Sequence, residues 1–172
     1  MARSPSRTID PDMLVRLMHD FSQRADTSYV MVAATTLERL LEQTLLGNMR
    51  KISNTLFDDL FRGYGPLASF GAKIDIAYAF RIIDDDLVGD FRTIKAIRNA
   101  FAHSDEVLHF KSEKLASRFQ RLTGWTKDCD ELKLFDARIA ACTEALNRLV
   151  DGQILVRALQ AHTERRTSRE KS

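Results

Sequence analysis

Apolar residues recur along most of this chain at three- and four-residue intervals, the spacing that puts side chains on one face of an α-helix. Behind Asp10-Pro11, an N-cap followed by proline at the first helical position, Met13, Leu14, Leu17, Met18 and Phe21 predict a helix over about 11–25. Asp26-Thr27 offers a second cap. The dense run from Tyr29 to Leu46 then predicts a long, mostly buried helix whose only charges are Glu38, Arg39 and Glu42. A shorter amphipathic piece covers Ser53 to Arg62, stops at Gly63 and is followed by the break Gly65-Pro66. From Leu67 to Ile83 there is no wide polar face, which predicts a helix central to its bundle.

Asp84-Asp85-Asp86 precedes a helix expected over about 86–103. Three consecutive aspartates invite a metal-site reading. Successive helical residues diverge by about 100°, however, so the three cannot face one ion, and acids at a helix start suit the positive end of its dipole. Capping is the preferred reading. A short helix is expected over about Ser112 to Leu122, broken by Gly124-Trp125, and a last long one from about Glu131 to His162. No strand pattern of convincing length and no internal repeat is visible. The expectation is an all-α bundle of about five to seven helices: a single domain over 10–162, between a basic flexible arm at 1–9 and a basic flexible tail at 163–172.

Composition agrees with long helices. The 172 residues hold 7 glycines and 3 prolines, about half the average share, which disfavours a many-stranded sandwich or barrel. At 44% hydrophobic and 29% charged, the body has enough apolar mass for a core. No apolar run reaches the roughly 18 residues of a membrane span, and the start carries no apolar segment of a secretory signal. The net charge is +2, and the arm and the tail each contribute two positive charges, so the body between them is slightly acidic. Such a body advertises no phosphate-binding face, although two basic ends would add weak, salt-sensitive attraction to nucleic acid. Cys129 and Cys142 form neither a zinc signature nor a disulfide framework, which fits a reduced cytoplasm. No metal or cofactor motif is present, and neither is expected.

The helix over 86–103 carries the chemistry. Measured from Leu87 at 100° per residue, Phe91, Ile94, Ile97 and Phe101 fall between about 40° and −80°, a coherent apolar stripe. Arg98 falls inside it, at about 20°. A guanidinium does not deprotonate to escape burial, so it must pair with an acid, line a protein interface or face a bound anion. Arg92, Asn99 and His103 stack along the flank. Glu38 or Glu42 of the long second helix would serve the pairing option, with Asn99 and His103 then acting as caps. Arg98 and His103 are five residues apart, about 140° and 7.5 Å on a regular helix, and converge only if the helix ends near Ala102 or a second copy supplies one of them. Together they could cleave a phosphodiester bond in RNA. His103 would move the proton, the 2′-hydroxyl would attack, and Arg98 would hold the phosphate without a metal.

Lys73 and Tyr78, on the central helix, could approach an anion near Arg98. His19, His109 and His162 are isolated and read as solvated or capping, and Trp125 reads as a packed anchor under a loop.

Two resemblances attach to these residues. Arg98, Asn99 and His103 form an Arg-Asn-x-x-x-His motif that resembles the signature of the HEPN superfamily. Its members are helical, usually dimeric proteins that include metal-independent ribonucleases of toxin and defence systems as well as non-catalytic binders. Gly65-Pro66-Leu67, the helix through Lys73 and Tyr78, the acidic cap and Ile97-Arg98-Asn99-Ala100-Phe101-Ala102-His103 are similar to the mannitol operon repressor family. Leu37-Glu38-Arg39-Leu40-Leu41 fits the same pattern. That family more often has a glycine where this chain has Arg81-Ile82-Ile83. The second resemblance implies a helical regulator of transcription without a DNA-recognition helix, and the preferred expectation is such a regulator working as a dimer through protein contacts. The first implies a ribonuclease or toxin using Arg98, Asn99 and His103. The expected partners are a second copy, a protein such as a regulator or antitoxin and, for the nuclease, RNA, but no membrane.

Overall fold

The computed structural model describes residues 11–170, so the arm read at 1–9 lies outside the described residues. The chain is all-α. Helices α1 (Pro11–Asn48), α2 (Asn54–Phe61), α3 (Phe70–Ala79), α4 (Asp85–His103), α5 (Glu113–Phe119) and α6 (Glu131–Glu170) follow one another, with no strand among the described residues. Most begin at a local cap. Ser53 Oγ accepts the Leu56 N–H, Ser69 Oγ that of Ala72, the Asp84 carboxylate that of Leu87 and the Asp130 carboxylate that of Lys133. Each satisfies an N–H that has no partner within the helix. At Asp130 the backbone hydrogen bond from Lys133 lowers the carboxyl's pKa.

The expected division of the first 46 residues at Asp26-Thr27 is not made; α1 runs straight through both. Neither glycine nor proline interrupts Asp12–Leu46, and a lone aspartate costs a helix interior only about 0.7 kcal/mol. Asp26 instead turns its carboxylate toward His109, 3.6 Å away. At the other end α6 continues to Glu170, past the expected end at His162, and Gly152 does not break it. The described residues beyond 162 thus belong to a helix. The side chains of His19 and His162 lie outside those described.

The helix α1 is the spine, in contact with α3, α4 and α6. Tyr29 donates a short hydrogen bond to Asp136, and Gln153 donates to the Thr44 carbonyl at 3.5 Å, so α1 and α6 run parallel. The Tyr29 phenol is pushed up to about 12, by burial and then by Asp136. Leu37, Leu41 and Leu45 of α1, Ile74 of α3, Phe91, Ile94 and Ile97 of α4, and Phe135 and Leu146 of α6 are fully buried in one core. Each contributes about 1.5–3 kcal/mol of transfer free energy. Met13, Leu17, Met18 and Phe21, on the part of α1 before this parallel pairing, are exposed. Trp125 packs partly buried against the core, as an anchor under its loop.

Two turns position the central helices. The α-carbon of Gly65 lies against the end of α2: a β-carbon there would stand 2.5 Å from the Asp59 and Leu60 carbonyl oxygens. Only glycine lets Leu67 N–H reach Leu60 O at 2.8 Å and deliver Ser69 to cap α3. At its far end α3 stops at Ala79, short of the expected Ile83. Ile82 N–H bonds Ala77 O at 2.8 Å and Arg81 N–H bonds Tyr78 O at 2.9 Å, a paired closure that places Arg81 at φ 57°. This is the left-handed position that glycine fills most cheaply.

Candidate functional site

The turn at Gly65-Pro66 aims Lys73, one turn into α3, at the spine. Its side chain is 4% exposed, and its ammonium donates to Glu38 at 2.9 Å and pairs with Glu42 at 2.8 Å. Arg62, just after α2, adds a two-pronged contact to Glu42 at 2.9 and 3.1 Å and lies 4.7 Å from the Phe57 ring centre. Burial works to raise the Glu42 pKa, but the hydrogen bonds from Arg62 and Lys73 outweigh it and hold the carboxyl below its ordinary 4.5. The two acids of the long helix are therefore committed to Lys73 and Arg62. Arg98 does not pair with either, contrary to one of the readings offered by the sequence. Nor is Lys73 placed to join an anion near Arg98, because its two acids neutralise it. Tyr78 is engaged elsewhere as well, donating to Asp85 at 2.6 Å.

The helix α4 holds a second buried charge that the sequence reading passed over. Asp90 is 1% exposed. It accepts from Arg138 Nε at 2.8 Å and Nη2 at 2.5 Å, and from the Thr123 backbone N–H at 2.9 Å, tying α4 to α6 and to the loop after α5. The signal was available: on the wheel that put Arg98 in the apolar stripe, Asp90 lies at about −60°, as far inside the stripe as Arg98. Cys142, against this pair, has its thiol pushed up to about 12 by burial and then by Asp90. Such a thiol is inert as a nucleophile at neutral pH.

The second half of α4 is different. Arg98 is half-buried, and its guanidinium donates to the Asn99 side-chain oxygen at 3.0 Å. No carboxylate among the described residues pairs with it. Lys95, one turn earlier, is also half-buried and lies over the first turn of α3: a β-carbon on Gly71 would meet Lys95 Nζ at 2.5 Å. Arg92, exposed on the same flank, pairs with Asp75 at 2.8 Å. His103 is exposed and is the last residue of α4, with Ser104 already extended. The sequence motif thus divides. Arg98 and Asn99 are joined by a hydrogen bond, whereas His103 stays on the same continuous helix as Arg98, about 7.5 Å further along by regular geometry.

Asp84 caps α4 and Asp85 receives Tyr78, so two of the three consecutive aspartates have structural partners. Among the described residues no three His, Cys, Asp or Glu side chains cluster as metal ligands. No described helix is long and apolar enough to cross a membrane. What the α4 flank offers chemically is an ammonium, a guanidinium and a carboxamide in sequence, with an imidazole at the end. That set suits an anionic group or the polar surface of another protein.

No family model matches this chain, and no curated protein matches it. Among solved structures, its fold is similar to that of a chain in the X-ray structure of the MtlR–HPr complex from Escherichia coli. The TM-score is 0.50 and the identity 16%, and the match covers 74% of this chain and 88% of that one. At that identity the likeness concerns the fold: an MtlR-like bundle of helices.

Proposed function

We propose that this protein is a helical regulator of the mannitol-repressor-like type, acting on transcription through protein contacts and working as a dimer. The observation that carries the reading is Arg98: a half-buried permanent cation whose hydrogen-bond partner is the neutral side chain of Asn99. Of the three options for an arginine in an apolar stripe, pairing with an acid is not taken among the described residues. That leaves an interface or an anion. The fold is shared with a chain from a protein–protein complex, which favours the interface. The slightly acidic body disfavours direct contact with DNA. Fluorescence anisotropy with fragments from upstream of the protein's own gene tests the reading. Affinity no tighter than about 1 μM and indifferent to sequence is expected. Nanomolar, sequence-dependent binding contradicts it.

The second reading is a metal-independent ribonuclease, supported by Arg98 and Asn99 standing joined with His103 exposed at the helix end. Because positions 98 and 103 lie about 140° apart around a regular helix, this reading has two copies combine their side chains. RNA incubated with the protein in EDTA decides it: cleavage that is abolished in His103→Ala supports a nuclease, and intact RNA removes it.

A further inference from the structure

The closure of α3 places Arg81 in the left-handed region, where an L-residue with a β-carbon is strained and glycine is not. Arginine stands there nonetheless, and its side chain lines a cleft of about 690 Å³ between the end of α1, the α3–α4 turn and the middle of α6. Arg50, two residues past α1, and Arg148 of α6 line the same cleft. Among the described residues, neither Arg50 nor Arg81 has a carboxylate partner. Arg148 makes one exposed contact, with Glu144 at 2.6 Å. The floor is apolar, from Ile82 and Leu149, and the ring of Phe80 stands at the cleft 71% exposed. No acidic residue lines it.

We propose that this cleft docks an acidic segment of a partner protein, its carboxylates on the three guanidinia and an apolar side chain against Phe80, Ile82 and Leu149. Guanidinium forks match carboxylates two bonds at a time, and an exposed aromatic ring beside them supplies the desolvated anchor from which a peptide contact draws its affinity. The charge around the cleft selects a short acidic segment over a nucleic-acid strand. The adjoining cleft shares Arg81 and Arg148 but is lined by Asp84 and Asp85, so a continuous phosphate backbone leaving the arginines would run onto carboxylates. The inference rests on the protein-contact reading and gives it a second surface, remote in sequence from Arg98.

The strained position supplies an unusual test, because Arg81→Gly relieves the backbone while removing the ligand group. A random dodecamer peptide display library is panned against the full-length protein, and selected peptides are measured by fluorescence polarisation. Expected are sequences rich in Asp and Glu around a Phe, Leu or Trp. Arg81→Gly is expected to weaken their binding by about tenfold while its melting temperature rises, and Arg81→Gly with Arg50→Gln to abolish it. No selected peptide, no acidic bias, or unchanged affinity in Arg81→Gly overturns the proposal. If binding is lost in Arg98→Ala instead, this cleft is wrong and the protein-contact reading stands. Nanomolar operator binding would remove that reading itself. Sedimentation of the wild type and Arg81→Gly should give one mass; a mass that falls in the variant makes the occupant a second copy and overturns a partner protein.

Discussion

Lys73 on α3 and Arg98 on α4 are both cations set among apolar neighbours, on two helices that pack against each other. Lys73 is nearly inaccessible and is met by two carboxylates from α1, one of them shared with Arg62. Arg98 is half-buried and is met by the amide of its own neighbour. The first arrangement is complete within the chain: charge is neutralised, and no buried side-chain polar atom among the described residues lacks a hydrogen bond. The second leaves a guanidinium that pairs with no carboxylate among the described residues. The difference separates a charge that holds the bundle together from one available to something outside it. Asp90 belongs with Lys73, since Arg138 and the Thr123 N–H complete it.

Substitutions on the structural side of this comparison should have the largest effects. Asp90→Ala strips Arg138 and a backbone N–H of their acceptor in the core and is expected to cost about 3–5 kcal/mol, measured by urea denaturation. Lys73→Ala is expected at the low end of that range, about 3 kcal/mol, because Glu42 keeps Arg62. A cost below about 1 kcal/mol for either would erase the distinction, since exposed pairs are worth no more. Arg81→Gly should stabilise the protein by about 1 kcal/mol, the strain released at a left-handed position, visible as a higher urea midpoint.

A smaller, pH-dependent effect follows from Glu42. Its pKa in the folded protein is depressed, so its contribution is fully present above the ordinary 4.5 and is lost as pH falls through the lower folded value. Wild-type stability should therefore decline on acidification below 4.5, and the gap between wild type and Lys73→Ala should narrow over the same window. A gap that stays constant down to the acid limit would show that Lys73 acts by packing rather than by charge.

The local features were legible in the sequence. Asp84 caps as read, α2 starts where its short pattern put it, and the break at Gly65-Pro66 needs only glycine's freedom, so most helix starts follow from short windows. The central helix, expected from Leu67, starts instead at Phe70 behind its cap Ser69. Asp26-Thr27 misled for the same reason: a capping residue is a cap only where the chain must stop, and nothing there stops it. The Lys73–Glu38 contact spans 35 residues, and no local pattern encodes which cation reaches which acid. Asp90 was readable on the α4 wheel as a charge inside the stripe, but its partners Arg138 and the Thr123 N–H lie 48 and 33 residues away, beyond any local pattern. Arg81-Ile82-Ile83 was visible as letters, but the left-handed backbone of Arg81 is a product of the Ala77–Ile82 closure and appears only in three dimensions.

Arg98, unlike Lys73, serves contacts outside the fold and not the fold itself. Urea denaturation of Arg98→Ala beside Lys73→Ala tests it most directly. Arg98→Ala is expected to stay within about 0.5 kcal/mol of wild type, the range of surface substitutions. A loss of about 3 kcal/mol or more, matching Lys73→Ala, would make Arg98 a structural charge of the bundle like Lys73.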